Sequence, residues 1–99
     1  MNPTKKPHPA ATLSYEQALA PIAETLCQRR ACERRAKAFS ESGDERLAKD
    51  MQDLADVHWV RVEALADFAA HLFGVYLYEV VGDASERANS IYEERRKNG

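Results

Sequence analysis

A run of apolar residues at helical spacing, over residues 47–81, constrains the fold of this 99-residue chain more than any other feature. Its apolar side chains recur at steps of three and four, which places them on one face of an α-helix. No proline interrupts the run, and Gly82 followed by Asp83 supplies a helix-ending signal. The face consists of Leu47, Met51, Leu54, His58, Val62, Leu65, Ala69, Leu72, Tyr76 and Val80. The sequence therefore predicts a single helix about 50 Å long.

The same run carries a second apolar seam, displaced by about 100° around the helix from the first. The members of this second seam are Ala55, Trp59, Val62, Ala66, Ala70, Phe73 and Leu77. Only a narrow strip stays polar, marked by Asp53, Asp56, Glu63, Asp67 and His71. A helix that is apolar over most of its circumference has to be covered on most sides. The surplus apolar surface therefore predicts self-association or a protein partner, with a homodimer as the first expectation.

The N-terminal part of the chain divides into a tail and a helical region. Residues 1–13 hold three of the four prolines and show no hydrophobic periodicity, so we expect a flexible tail there and a single helical domain over 14–99. Ser14 with Gln17 matches a capping box, which predicts a helix start. Pro21 either kinks this helix or separates two helices. The pattern favours a short helix at 14–20 and a longer one at 21–41.

Three further signals complete the predicted architecture. Gly43 ends the first helical region, and Ser42 with Glu45 forms a second capping-box match. A connection this short makes the helices on either side antiparallel neighbours. Asp83 with Glu86 predicts the start of a short C-terminal helix. The predicted fold is therefore all-α: an antiparallel helical hairpin with one long central helix and short N- and C-terminal helices, bundle-like and dimeric.

Charge and cysteine content narrow the functional classes. The net charge is −2, so no strong field draws the whole chain to nucleic acid or to an anionic membrane. Residues 41–83 carry ten acidic and three basic side chains, a balance of −7. Arg61 and Asp67 interrupt the apolar run, which makes a membrane span unfavourable. Two cysteines and no secretory signal indicate a cytoplasmic protein.

Glu63, Asp67 and His71 are weak candidates for metal binding. Their spacing stacks two carboxylates and an imidazole on one helix face. A metal site in a helical bundle normally takes ligands from facing helices, often as Glu-x-x-His pairs, and the sequence has no such pair. A solvated strip with an Asp67–His71 pair is therefore the favoured interpretation, and no metal or other cofactor is predicted.

Arg30, Arg34 and Lys37, together with Arg35, form a basic stripe on the first helical region. This stripe could contact phosphates or an acidic partner. Nucleic-acid-binding modules usually combine such a patch with a basic domain or a helix-turn-helix, and neither is present. Nucleic-acid binding therefore stays an alternative. The simpler interpretation is that the basic stripe pairs with the acidic strip of the long helix, either within one chain or between chains.

Aromatic and large apolar side chains supply the candidate protein-binding residues. Trp and Tyr are the residues that most often anchor protein interfaces, so we predict partner binding through Trp59, Phe73, Leu77 and Tyr78. His58 lies within the first apolar face, and the sequence leaves open whether it belongs to the core or to an interface. If His58 lies at a dimer seam, its protonation would loosen the dimer near pH 6.

No catalytic motif is found: the sequence has no Gly-rich phosphate loop, no zinc-protease motif and no nucleophile elbow, so we predict that the protein is not an enzyme.

In size, helical content and charged surface the chain resembles small all-helical regulators carried by phages and plasmids, including CRISPR inhibitors and quorum-sensing antiactivators. The resemblance extends to no specific motif, so it assigns no residue roles. It implies an inhibitor, antiactivator or adaptor that acts by protein–protein binding. A nucleic-acid-associated regulator and a small-ligand- or metal-binding bundle are the alternatives.

Overall fold

The computed structural model describes residues 13–98, which form three α-helices. Helix α1 spans Tyr15–Glu41, α2 spans Glu45–Phe73 and α3 spans Leu77–Asn98. No strand occurs among these described residues, so the predicted all-α class is confirmed there. The tail predicted at 1–13 falls, apart from Leu13, outside the described residues.

Helix α1 begins with the predicted capping box and continues through Pro21. The backbone N–H of Gln17 donates to Ser14 Oγ at 3.0 Å, and the N–H of Ser14 donates to Gln17 Oε1 at 2.8 Å. The predicted division into helices at 14–20 and 21–41 is wrong, because one helix covers both ranges. Pro21 itself is exposed, whereas Leu19 and Ile22 beside it are buried. Packing of these neighbours stabilises the helix across the missing N–H of the proline.

The turn between α1 and α2 lies where the sequence predicts it but is capped by a different residue. Asp44, rather than Ser42, is the N-cap of α2, and its carboxylate accepts a hydrogen bond from the N–H of Leu47 at 3.1 Å. Ser42 instead ends α1, with its own N–H bonded to carbonyls of the last helical turn. The predicted capping box of Ser42 with Glu45 is therefore wrong.

The predicted single helix over 47–81 is also wrong, because α2 ends at Phe73. Gly74 adopts the left-handed conformation, with φ 66° and ψ 36°, which glycine reaches at little cost. The N–H of Val75 then donates to the carbonyl of Ala70 at 3.1 Å, as in a Schellman-type helix end. Gly82, the predicted terminator, lies inside α3.

Helix α3 turns back over the other two helices after this break. With 22 residues it is nearly as long as α1 and α2, which have 27 and 29, so the expectation of one long central helix with short helices at either end is wrong. The residues Asp83 and Glu86 do not start a helix, because α3 has already begun at Leu77. Val80, Ala84 and Ala88, four residues apart, form the buried face of α3. Burial of this face is what favours a helix that runs through Gly82.

The hydrophobic core lies where α1, α2 and α3 meet. Its main cluster consists of Ala18, Leu19, Ile22, Val62, Ala66, Ala69, Ala70, Val80 and Ala84. Most of these residues are alanine, which lets helices approach closely but removes little apolar surface from water. On α2 the core uses the second apolar seam. Most residues of the first apolar face, which begins at Leu47, stay partly exposed.

No single helix in the described range is long and apolar enough to cross a membrane. Helices α2 and α3 are long and apolar enough only when they are counted as one segment. The chain bends by 116° at the break between them.

Candidate protein-binding surface

The turn from α2 into α3 presents three large side chains to solvent. Tyr76, Leu77 and Tyr78 are 68, 44 and 73 % exposed, respectively. The two tyrosine rings are stacked, with 5.4 Å between their centroids and 9° between their planes. These three residues, called the aromatic corner below, combine a continuous stretch of apolar surface with two phenolic hydroxyls.

Hydrogen bonds at the start of α3 fix the backbone of the aromatic corner. The N–H of Tyr76 donates to Glu79 Oε1 at 3.1 Å, and the carbonyl of Tyr76 accepts from the N–H of Glu79 at 3.0 Å and of Val80 at 3.2 Å. An exposed side chain on a fixed backbone loses less conformational entropy on binding than one on a mobile loop. Tyrosine adds to this advantage, since its large ring has few rotatable bonds.

The aromatic corner contains two of the four predicted partner-binding residues, Leu77 and Tyr78. A third, Phe73, is half-buried and makes an edge-to-face contact with Tyr15, with the ring centroids 5.5 Å apart. Phe73 therefore packs the end of α2 against α1, three residues before the aromatic corner begins.

Trp59, the fourth predicted partner-binding residue, lies apart from the aromatic corner and contacts α1. The guanidinium of Arg29 sits 4.7 Å from the centroid of the Trp59 ring and also forms a 3.3 Å salt bridge with Glu33. A cleft of about 310 Å³ lies here, lined by Leu26, Arg29, Arg30, Glu33, Trp59, Val81, Ser85 and Ala88. Because Arg29 already covers its ring, Trp59 offers a partner less open surface than the aromatic corner does.

The basic stripe on α1 is partly used within the fold. Arg30 donates to Asn89 Oδ1 at 2.6 Å, and its guanidinium lies 4.8 Å from the ring centroid of Tyr92. Arg34 donates to the hydroxyl of Tyr92. These arginines therefore contact α3, and within the described part of one chain neither forms a salt bridge with the acidic strip of α2, whereas pairing between chains stays a prediction. Arg35 and Lys37 are exposed and form no salt bridge within the described residues.

The weak metal candidates lie on an exposed face of α2. His71 Nδ1 is 3.6 Å from Asp67 Oδ1 and 2.9 Å from the Asp67 carbonyl oxygen, so the Asp67–His71 pair is present. Glu63 is exposed as well. Over residues 13–98, no three His, Cys, Asp or Glu side chains are grouped closely enough to hold a metal ion.

Polar contacts between α1 and α3 were missed at the sequence level. The Tyr15 hydroxyl donates to Asp83 Oδ2 at 2.6 Å. Two salt bridges join the same helices, Arg87–Glu16 at 2.8 Å and Arg95–Glu24 at 2.9 Å. Glu16 and Arg87 pair nearer the N-terminal ends of α1 and α3, and Glu24 and Arg95 pair further along both helices, so the two helices run parallel. The equal spacing of Glu16 and Glu24 and of Arg87 and Arg95, eight residues in each case, is the sequence signal that could have found these pairs.

Burial changes the proton affinity of two side chains on α1. Burial and the hydrogen bond to Asp83 raise the pKa of Tyr15 to about 12. Burial, with the nearby charge of Glu24, also raises the pKa of the Cys27 thiol. A thiol with a raised pKa is a poor nucleophile at neutral pH, so Cys27 acts as a packing residue, with its Sγ 3.5 Å from the Ala88 carbonyl oxygen.

Comparison of the chain with protein-family models, with curated protein sequences and with solved structures finds no match.

Proposed function

We propose that this protein acts without catalysis, by binding another protein through the aromatic corner. The observation that carries the proposal is the exposure of Tyr76, Leu77 and Tyr78 on a backbone fixed by hydrogen bonds. Solvent-exposed aromatic residues grouped in this way are typical of interface anchors. An inhibitor, antiactivator or adaptor in the cytoplasm is the class of function that a small binding protein of this kind serves.

Charge indicates the chemistry of the proposed partner. Residues 41–83, which include the aromatic corner, carry a balance of −7. Electrostatic complementarity between partners increases association rates and disfavours wrong pairings. The proposed partner surface therefore has an apolar centre and a rim of lysine or arginine.

The proposed scaffold behind the aromatic corner is an antiparallel hairpin of α1 and α2. A turn of only three residues, 42–44, separates the two helices, and both contribute to the main core cluster. Helix α3 is tied to α1 by its salt bridges, which holds the α2–α3 turn at one end of the hairpin.

The nucleic-acid alternative is less well supported by the geometry. Arg30 and Arg34 are engaged with Asn89 and Tyr92, so some of their N–H donors are already used within the fold and are not free to bind phosphates. This alternative predicts a salt-dependent gel shift that a double Arg35→Glu, Lys37→Glu variant abolishes. For the small-ligand alternative, the cleft beside Trp59 is the place to test.

The test of the proposal starts with affinity capture from the native host and identification of the partner, followed by calorimetric titration of the two purified proteins. We expect Tyr78→Ala and Tyr76→Ala each to raise the dissociation constant by at least about tenfold, since truncation of a hot-spot residue costs about 2 kcal/mol or more. Val60→Ala is the matched control, because Val60 is also a large exposed side chain but lies on α2 away from the aromatic corner. Equal affinities for all three variants and the wild type would overturn the proposal.

A further inference from the structure

The exposed face of α2 carries a heptad pattern that the core does not use. Starting at Leu47, side chains follow strictly alternating steps of four and three along the helix, the a and d positions of a coiled coil. This set, called the α2 seam below, consists of Leu47, Met51, Leu54, His58, Arg61, Leu65, Phe68 and Leu72. Its leucines and phenylalanine are between 37 and 64 % exposed, while Met51 and His58 are half-buried and Arg61 is exposed. A single chain therefore leaves this coiled-coil surface uncovered.

We propose that the α2 seam binds the α2 seam of a second copy of this chain in antiparallel orientation, with the two-fold axis between Trp59 and Val60. Trp59 is the middle residue of the 29-residue α2, so this register overlaps the two helices along their full length. The proposal concerns a surface separate from the aromatic corner and does not depend on the function proposed above.

The order of side chains along the α2 seam is symmetric about that axis. In the antiparallel register an a position faces a d position, so Leu47 faces the partner's Leu72 and Leu54 faces the partner's Leu65. Met51 likewise faces the partner's Phe68. Each apolar residue of the α2 seam therefore faces an apolar residue of the partner's α2 seam. A two-fold interface requires such self-complementarity, whereas a surface for an unrelated protein does not.

The two polar residues of the α2 seam also match each other. His58 faces the partner's Arg61, and this layer lies next to the two-fold axis. A neutral imidazole has one ring nitrogen that accepts a hydrogen bond, whereas a guanidinium only donates. Within the described residues His58 Nδ1 is shielded from solvent by atoms of its own chain, so Nε2 is the ring nitrogen left to face the partner's Arg61. This pairing occurs twice, once on each side of the two-fold axis, and a buried polar layer of this kind is a known means of fixing the register of a coiled coil.

Charges beside the α2 seam favour the same register. The flanking g positions are Asp50, Val57, Ala64 and His71. Antiparallel pairing brings Asp50 close to the partner's His71, an acid near an imidazole, and Val57 close to the partner's Ala64. A parallel pair would instead place Arg61 against the partner's Arg61, with two like charges in the interface. The antiparallel dimer is therefore the arrangement that the sequence and the exposure both favour.

The test measures the mass of the full chain in solution by sedimentation equilibrium. We expect the wild type to have twice the mass of one chain. We expect Leu54→Lys and Leu65→Glu each to raise the dimer dissociation constant by roughly a hundredfold or more, because each places a charge opposite a leucine of the partner. Val60→Lys and Val60→Glu are matched controls on the same helix outside the α2 seam, and they should stay dimeric. Circular dichroism checks that each variant remains helical.

The register is tested by mixing the Leu54→Lys and Leu65→Glu chains. In the proposed dimer the two introduced charges face each other in one layer and the native leucines meet in the symmetric layer, so the mixture should regain the dimer mass. In a parallel dimer position 54 faces position 54, and no such rescue is expected. A monomeric wild type, dimeric single variants, or monomeric variants without rescue would each overturn the proposal. The binding of another protein at the aromatic corner would be unaffected by any of these results.

Discussion

At the scale of single residues, Tyr15 holds its phenolic proton more tightly than an ordinary tyrosine. Its hydroxyl donates to Asp83 across the α1–α3 contact, and burial with this hydrogen bond raises its pKa to about 12 from 10.0. A group that binds its proton more tightly in the folded state stabilises that state as long as the proton is retained. The stabilisation from Tyr15 is therefore complete below about pH 10 and is lost as the pH rises towards 12.

This difference predicts a late component in a spectrophotometric titration of the tyrosines. We expect the absorbance of tyrosinate to keep rising towards pH 12 in the wild type, and the component with a midpoint of about 12 to be missing from Tyr15→Phe. Tyr78→Phe is the control, since Tyr78 is exposed and its removal should leave the late component in place. A late component that survives in Tyr15→Phe would show that the Asp83 contact does not hold this proton.

At the scale of helices, two glycines decide where α2 ends and how far α3 extends. Gly74 has a positive φ of 66°, a conformation that an L-residue reaches only with strain, whereas Gly82 lies in the interior of α3. Apart from adjacent residues and the surrounding helix backbone, neither glycine has a group within 4 Å of the position where a Cβ would lie. The effect of adding a methyl group is therefore set by backbone conformation alone.

Alanine at these two positions should change stability in opposite directions. We expect Gly74→Ala to lower the free energy of unfolding by about 1 kcal/mol, and Gly82→Ala to raise it by about 0.5–1 kcal/mol because alanine is the better helix former. Urea denaturation followed by circular dichroism measures both changes. The reverse result, in which Gly74→Ala stabilises the protein and Gly82→Ala destabilises it, would instead fit a helix that continues through 74 and ends at 82.

The same two glycines show what local sequence signals can and cannot predict here. The start of α1 at Ser14 and the turn near Gly43 were predictable, because capping and turn residues act within a few positions of the chain. The choice between Gly74 and Gly82 depends on Val80 and residues beyond it reaching the core of α1 and α2. That is a long-range effect, and periodicity within one segment carries no information about it.

Local sequence patterns also could not predict which apolar face of α2 is buried in the core. The buried face is centred on small residues such as Ala55 and Ala66, while Leu54 and Leu65 of the larger-residue face stay partly exposed. Alanine permits the close helix contacts that the structure shows, and the sequence alone ranks leucine as the better core residue. Of the proposed binding surface, Leu77 and Tyr78 were named from the sequence. Their grouping with Tyr76 follows from the break at Gly74.

At the scale of the whole molecule, the three helices cover only part of their apolar surface. The described chain is elongated, with principal extents of 58, 28 and 23 Å, and a core rich in alanine contributes little apolar burial per residue. Leucines along α2 and the aromatic corner remain outside that core. Stability of the fold is therefore expected to depend on what covers α2, which links oligomerisation to folding.

This link predicts a melting temperature that depends on protein concentration. If two copies associate through the α2 seam, mass action favours the folded dimer as concentration rises, so the melting temperature of the wild type should increase over a hundredfold range of concentration. The Leu54→Lys variant should melt at a temperature that depends much less on concentration, since its dimer dissociation constant is raised by roughly a hundredfold or more. Val60→Lys carries the same charge on the same helix outside the α2 seam and should follow the wild type. Identical behaviour of the wild type and Leu54→Lys would mean that the three helices alone account for the stability of the fold, with the exposed leucines of α2 contributing nothing through a second copy.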